Sequence, residues 1–137
     1  MLNRKKILFR ILILVLIIFF LNSFALKLHW YFSVWWSDMS MHLLAGFWVG
    51  LVFFWLIPPK NFSFLNIGKI ILGVFLVGII WEIFEILVDK IIAQNPFNFL
   101  DTLSDLCFDL AGALLSVFYF LKRILIQEDI HQEERIF

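Results

Sequence analysis

Residues 67–88, IGKIILGVFLVGIIWEIFEILV, decide the fold. The run holds three charged side chains, Lys69, Glu82 and Glu85, and no proline. A helix crosses a bilayer with about 20 mostly apolar residues, so this stretch predicts a membrane span. Three others match it, at about 7–26, 39–57 and 103–126. The connections carry breakers or interfacial residues: Trp30, Tyr31, Trp35 and Trp36 in the first, Pro58-Pro59 in the second, Asn95-Pro96 in the third. The expectation is an all-α, polytopic membrane protein with four transmembrane helices in a compact bundle. It forms a single domain over 1–126, followed by a charged tail, 127–137, with Glu128, Asp129, Glu133, Glu134 and Arg135.

Composition supports that class. Of 137 residues 63% are hydrophobic and 16% charged, against roughly 45–50% and about 25% in soluble domains. Mean hydropathy is +0.96, which excludes a water-soluble globule. Aromatics at 19%, with few Gly and Pro, exclude disordered and collagen-like chains. Eleven basic residues balance eleven acidic ones, so no net field draws nucleic acid, and a single cysteine, Cys107, excludes an internal disulfide. Between Leu106 and Phe108, that cysteine reads as a small packing residue.

Basic residues flank the start of the first span (Arg4, Lys5, Lys6, Arg10), the second connection (Lys60, Lys69) and the end of the fourth span (Lys122, Arg123). Positive residues stay on the cytoplasmic side, which predicts cytoplasmic N and C termini. A rival reading stands beside this one. Residues 1–25 resemble a signal peptide with small residues at Ser23 and Ala25; cleavage leaves three spans and an outer N-terminus.

With that orientation, Asp38, His42, Glu82, Glu85, Asp89, Asp101, Asp105 and Asp109 all fall in the outer half. At about 1.5 Å per residue their depths match across three helices. Residues three and four apart share a face, giving three stripes: Asp38, His42, Gly46 and Gly50; Gly78, Glu82, Glu85 and Asp89; Asp105, Asp109, Gly112 and Ser116. Small residues let membrane helices approach closely, so spans two to four pack with these stripes inward and the first span is a lipid-facing support. A charge at mid-span costs about 2.5–3.5 kcal/mol, so Glu82 and Glu85 need water, shared protons or a bound cation.

Plainer readings apply to some positions. Asp38 and Asp101 stand where helices begin and also fit N-caps. Asp89 also fits a solvated end charge beside Lys90, and His42 one turn beyond Asp38 also fits a hydrogen-bonded structural pair. Trp30, Trp35 and Trp36 fit an interfacial belt.

The series Trp36-Ser37-Asp38-x-x-x-His42-x-x-x-Gly46, Trp81-Glu82-x-x-Glu85 and Asp101-Thr102-x-x-Asp105-x-x-x-Asp109-x-x-Gly112-Ala113 resembles the VanZ-like family of small bacterial integral membrane proteins. The resemblance covers the last three spans and points to Asp38, His42, Glu82, Asp105 and Gly112. Glu85 and Asp109 stand where that family has Gln and Asn, and residues 97–100 lack its Arg. The resemblance implies a place in the bacterial inner membrane and cell envelope, and no particular reaction.

The oxygen-rich set Asp38, His42, Glu82, Glu85, Asp105 and Asp109 suits a hard divalent cation, Mg²⁺, Ca²⁺ or Mn²⁺, better than structural zinc. The leading expectation is therefore an outer-side site for a cation or for an envelope lipid headgroup. If the chain is an enzyme, His42, Glu82 and Asp105 are its catalytic candidates, acting on a lipid-linked substrate. No nucleophile motif or phosphate-cradling glycine loop accompanies them. Two alternatives remain open: a proton- or cation-coupled transporter, alone or as a homo-oligomer, and a non-catalytic subunit whose acidic face meets a membrane protein partner.

Overall fold

The computed structural model describes residues 4–57, 63–94 and 96–136, with side chains to Arg123 except those of Phe32 and Ala93. Its helices are α1 (Arg4–Lys27), α2 (Trp30–Ser33), α3 (Ser37–Leu56), α4 (Phe64–Val88) and α5 (Phe99–Ile136), and a π-helical turn, Asp89–Ala93, prolongs α4. There is no strand among the described residues. Four segments are long and apolar enough to cross a membrane: Arg4–Lys27, Ser37–Leu56, Phe64–Ile92 and Phe99–Arg123. The chain is an all-α, four-span membrane protein. Pro58, Pro59, Lys60 and Asn95, and the side chains of the charged tail, lie outside the described residues.

Helix ends extend past the apolar runs for local reasons. Ser63 caps α4 by accepting a hydrogen bond from the Asn66 amide at 3.3 Å, so the helix opens at Phe64, ahead of the apolar run. Arg4, Lys5 and Lys6 are good helix formers and continue α1 outward. The N-cap reading of two aspartates does not hold. The Trp36 carbonyl accepts the Ser40 N–H, and the Asn98 carbonyl accepts the Thr102 N–H, so Asp38 and Asp101 both lie inside the first turns of α3 and α5. There their charges still favour the helix N-terminus.

Helix α3 is the hub, packing most extensively on α5 and then on α1 and α4. The α3–α5 seam consists of small residues. A Cβ on Gly46 would strike the Asp109 backbone, and one on Gly112 would lie 2.5 Å from the Phe47 nitrogen and strike the Leu43 carbonyl. Lower down, Gly50 faces the buried Ser116, whose hydroxyl donates to the Ala113 carbonyl at 2.7 Å. Without a hydrophobic drive between helices in lipid, such close backbone approach supplies the packing attraction.

Two polar clamps fix α1 on α3: Trp48 Nε1 donates to the Ile11 carbonyl at 3.0 Å, and Arg4 donates to the Trp55 carbonyl at 2.9 Å. Ile7 and Ile11 are buried, while Phe9, Leu12, Leu16, Phe19 and Phe20 are exposed, as a lipid-facing support requires. The Arg4–Trp55 contact places the start of α1 beside the end of α3, opposite the end that carries Asp38 and His42. The middle and basic end are filled by Leu51, Ile70, Val117 and the stacked rings of Phe54 and Phe120, 3.9 Å between centroids. Cys107 departs from its packing expectation. It is exposed, because the α5 face that turns inward carries Asp105 and Asp109.

Candidate functional site

The three polar stripes converge. His42 on α3, Glu82 on α4, and Asp105 and Asp109 on α5 are all buried, each 3–5% exposed. Asp38 and Glu85 are half-buried at the same end. One ligand atom each from Asp38, His42 and Asp105 lie within 4.8 Å of one another, and the same holds for His42, Glu82 and Glu85. His42 belongs to both sets, so the imidazole is the centre of the cluster.

The ring's two nitrogens face different partners. Nδ1 lies 3.4 Å from Asp109 Oδ1, and Nε2 lies 3.9 Å from Asp38 Oδ1. Asp109 thus stands on the far side of the ring from the Asp38 group and belongs to neither set of converging ligand atoms. A carboxylate on one imidazole nitrogen fixes the tautomer and frees the other nitrogen as a ligand, the usual arrangement around a metal-bound histidine. Gly78 leaves the room that this carboxylate occupies, since a Cβ there would come within 2.7 Å of Asp109 Oδ2.

Two carboxylate oxygens, Glu82 Oε1 and Asp105 Oδ1, are buried and accept no hydrogen bond from any described residue. A buried acceptor without a partner costs about 1–3 kcal/mol, more when charged. Their residues belong one to each of the two converging sets. Thr102 stands within hydrogen-bonding reach of Glu82, and the buried hydroxyl of Ser37 is likewise unpartnered.

Beside this cluster a cleft of about 550 Å³ is lined by Glu82, Glu85, Asp89, Lys90, Asp101 and Asp105, with Phe97 and Asn98 on its rim. The π-helical turn shapes it. That turn ends at Gln94, in the left-handed region at φ 56°, whose N–H returns to the Asp89 carbonyl. Single π turns are frequent at functional sites. On the other flank Tyr31 donates to Asn22 Oδ1 at 2.5 Å. Burial pushes the Tyr31 hydroxyl above its ordinary pKa, and the nearby charges of Asp38 and Glu85 add to the rise.

All six expected ligand residues therefore come to one end of the bundle, with Asp89 and Asp101 at the cleft. The sequence reading missed Tyr31 and Ser37 as neighbours of the cluster. Ser37 directly precedes Asp38, and that adjacency was the available signal. Trp81, which the family resemblance includes, is exposed, whereas its neighbour Glu82 is buried.

The profile of the family described as "Predicted membrane protein (DUF2238)" matches residues 1–124, and the chain belongs to that family. No curated protein and no solved structure matches the chain.

Proposed function

We propose that this membrane protein holds a divalent cation at the acidic end of its bundle, with His42, Asp38, Glu82, Glu85 and Asp105 as ligands. Asp109 orients the imidazole. The observation that carries the reading is the pair of buried, unpartnered oxygens, Glu82 Oε1 and Asp105 Oδ1, in two ligand sets that share His42. A cation at His42 would offer Glu82 and Asp105 a partner and offset the repulsion among five carboxylates. A donor set of one imidazole and several carboxylates suits Mn²⁺, Mg²⁺ or Ca²⁺.

The cleft of about 550 Å³ beside the ligands supports a second component, an anionic envelope headgroup bridged by the ion. The VanZ-like reading rests on the Asp38/His42, Glu82/Glu85 and Asp105/Asp109 patterns. With it go a bacterial inner-membrane location, cytoplasmic termini and an outward-facing site. Chemistry on a bound headgroup, with His42, Glu82 and Asp105 as its groups, is the extension that turnover assays decide. The transporter alternative is less well supported, since the Phe54–Phe120 stack and its apolar neighbours fill the bundle beyond Ser116.

The test is thermal unfolding of the detergent-purified protein with Mn²⁺, Mg²⁺, Ca²⁺ or Zn²⁺. A bound ligand stabilises by RT ln(1 + [L]/Kd), about 2.7 kcal/mol at a hundredfold excess over Kd. Stabilisation by Mn²⁺, Mg²⁺ or Ca²⁺ is expected in the wild type and in Cys107→Ser, and its loss in Asp105→Asn and His42→Ala. No shift with any of these cations refutes the reading.

A further inference from the structure

At the other end of the bundle the charge is reversed. Lys5, Lys6 and Arg10 of α1 line a groove of about 620 Å³ that α1 forms with α3 and α5. Tyr119 of α5 forms part of its wall. Two guanidinium groups converge on that one ring: Arg10 Cζ lies 5.8 Å and Arg123 Cζ 5.5 Å from the Tyr119 centroid, and Arg10 also donates a hydrogen bond to the Tyr119 hydroxyl. The ring attracts each cation, yet the two repel one another at a membrane interface where water screens them poorly. No carboxylate lines the groove among the described residues.

The rest of the groove is apolar. Phe9, Ile13 and Ile17 on α1 face Phe47 and Leu51 on α3. Below Arg10 the apolar part follows seven helical steps to Ile17, about 10 Å. Half of a hydrocarbon core of about 30 Å is one leaflet, about 15 Å, so the groove takes the upper two-thirds of one acyl chain below a headgroup held at Arg10. An apolar slot of that depth below the paired guanidinium groups of Arg10 and Arg123 matches the two chemical halves of an anionic phospholipid.

We propose that this groove binds one anionic phospholipid, its phosphate between Arg10 and Arg123 at Tyr119 and one acyl chain along α1. The site is separate from the acidic cluster: Asp105 and Tyr119 lie at opposite ends of the spanning part of α5. The lipid would tie α1 to α5, which otherwise meet chiefly through the Arg10–Tyr119 contact.

The test is native mass spectrometry of the full chain, exchanged from detergent into mixed micelles containing phosphatidylglycerol or phosphatidylcholine. One phosphatidylglycerol bound per chain is expected, with roughly tenfold preference over phosphatidylcholine. The preference should fall to near unity in the Arg10→Gln/Arg123→Gln double variant. Because Arg10 also holds Tyr119, Arg123→Gln alone is measured too, and a several-fold loss is expected with thermal stability in pure detergent retained. Equal retention of both lipids, an undiminished preference in the double variant, or displacement by soluble glycerophosphate alone would each overturn the assignment. So would a gain of the lipid preference only when the acidic residues of 127–137 are neutralised, which would make the chain's own tail the occupant. Cation binding at His42 is expected to be the same in these variants, so the two sites succeed or fail separately.

Discussion

Gly78 of α4 lies directly over the carboxylate of Asp109 on α5, so closely that a Cβ there would come within 2.7 Å of Asp109 Oδ2. The same carboxylate reaches His42 Nδ1 through its other oxygen, 3.4 Å away. A missing methyl group on one helix thus sets the orientation of an imidazole on another. Gly78→Ala is expected to fold, to lose about 1–3 kcal/mol through overpacking, and to bind Mn²⁺ more weakly because the ring is no longer held. Thermal unfolding and metal titration of that variant test this together; unchanged values in both would break the link between Gly78 and the ring.

Asp109 and Asp105 should behave differently although both are buried aspartates on one helix. Asp109→Asn removes an orienting partner and is expected to weaken cation binding about 10–100-fold, the range for such outer-shell changes. Asp105→Asn removes a ligand and should abolish binding. Equal affinities for the two variants would show that the assigned roles are wrong.

Removing a carboxylate should also reverse sign with the cation. Without metal, Glu82→Gln relieves like-charge repulsion around an unpartnered oxygen and is expected to match or exceed wild-type stability. With saturating Mn²⁺ the order should invert, because only the wild type gains binding energy. Parallel unfolding curves, with no crossover between the two conditions, would argue for a purely structural cluster.

The glycines themselves divide into two kinds. A Cβ on Gly46 meets the Asp109 backbone, which cannot rotate away, whereas a Cβ on Gly68 meets open space. Gly46→Ala should therefore separate α3 from α5 and destabilise the bundle by more than the usual 1–3 kcal/mol of overpacking. Gly68→Ala should gain up to about 1 kcal/mol from helix propensity. Comparable effects at both positions would deny the close α3–α5 contact.

Tyr31 offers a pH probe outside the spans. Its folded-state pKa lies above the ordinary 10.0, from burial first and then from Asp38 and Glu85. The sign follows: its contribution to stability is complete below about pH 10 and declines as pH rises through the folded value. The chain has two tyrosines, so Tyr119→Phe leaves Tyr31 as the only source of tyrosinate absorbance. A midpoint above 10 is expected, lowered by Asp38→Asn; a midpoint at or below 10 would contradict this environment.

The spans were legible because a bilayer imposes a length and a polarity that few sequences meet by accident. The stripes were legible because Asp38 with His42, Glu82 with Glu85, and Asp105 with Asp109 keep helical spacing at matching depths. Which oxygen meets which ring nitrogen was not, since that depends on how closely the backbones approach. The connections were illegible as well. His29 and Gln94 both adopt the left-handed conformation without being glycine, at φ 55° and 56°, and together they permit the short helix α2 and the π-helical turn. Cys107 was misread because its apolar sequence neighbours say nothing of the helix face on which it falls.

The dominance of the α3–α5 seam also bears on how the chain is made. Helices α3 and α4 emerge from the ribosome before α5, yet the surface that shelters His42 and Glu82 is largely Asp105, Asp109, Gly112 and the rest of the last span. Until that segment arrives, the nascent protein must hold a histidine and several acids in the translocon or against its walls instead of in lipid. A chain ending before Phe99 therefore leaves His42 and Glu82 without the helix that covers them, and the last span completes their shelter.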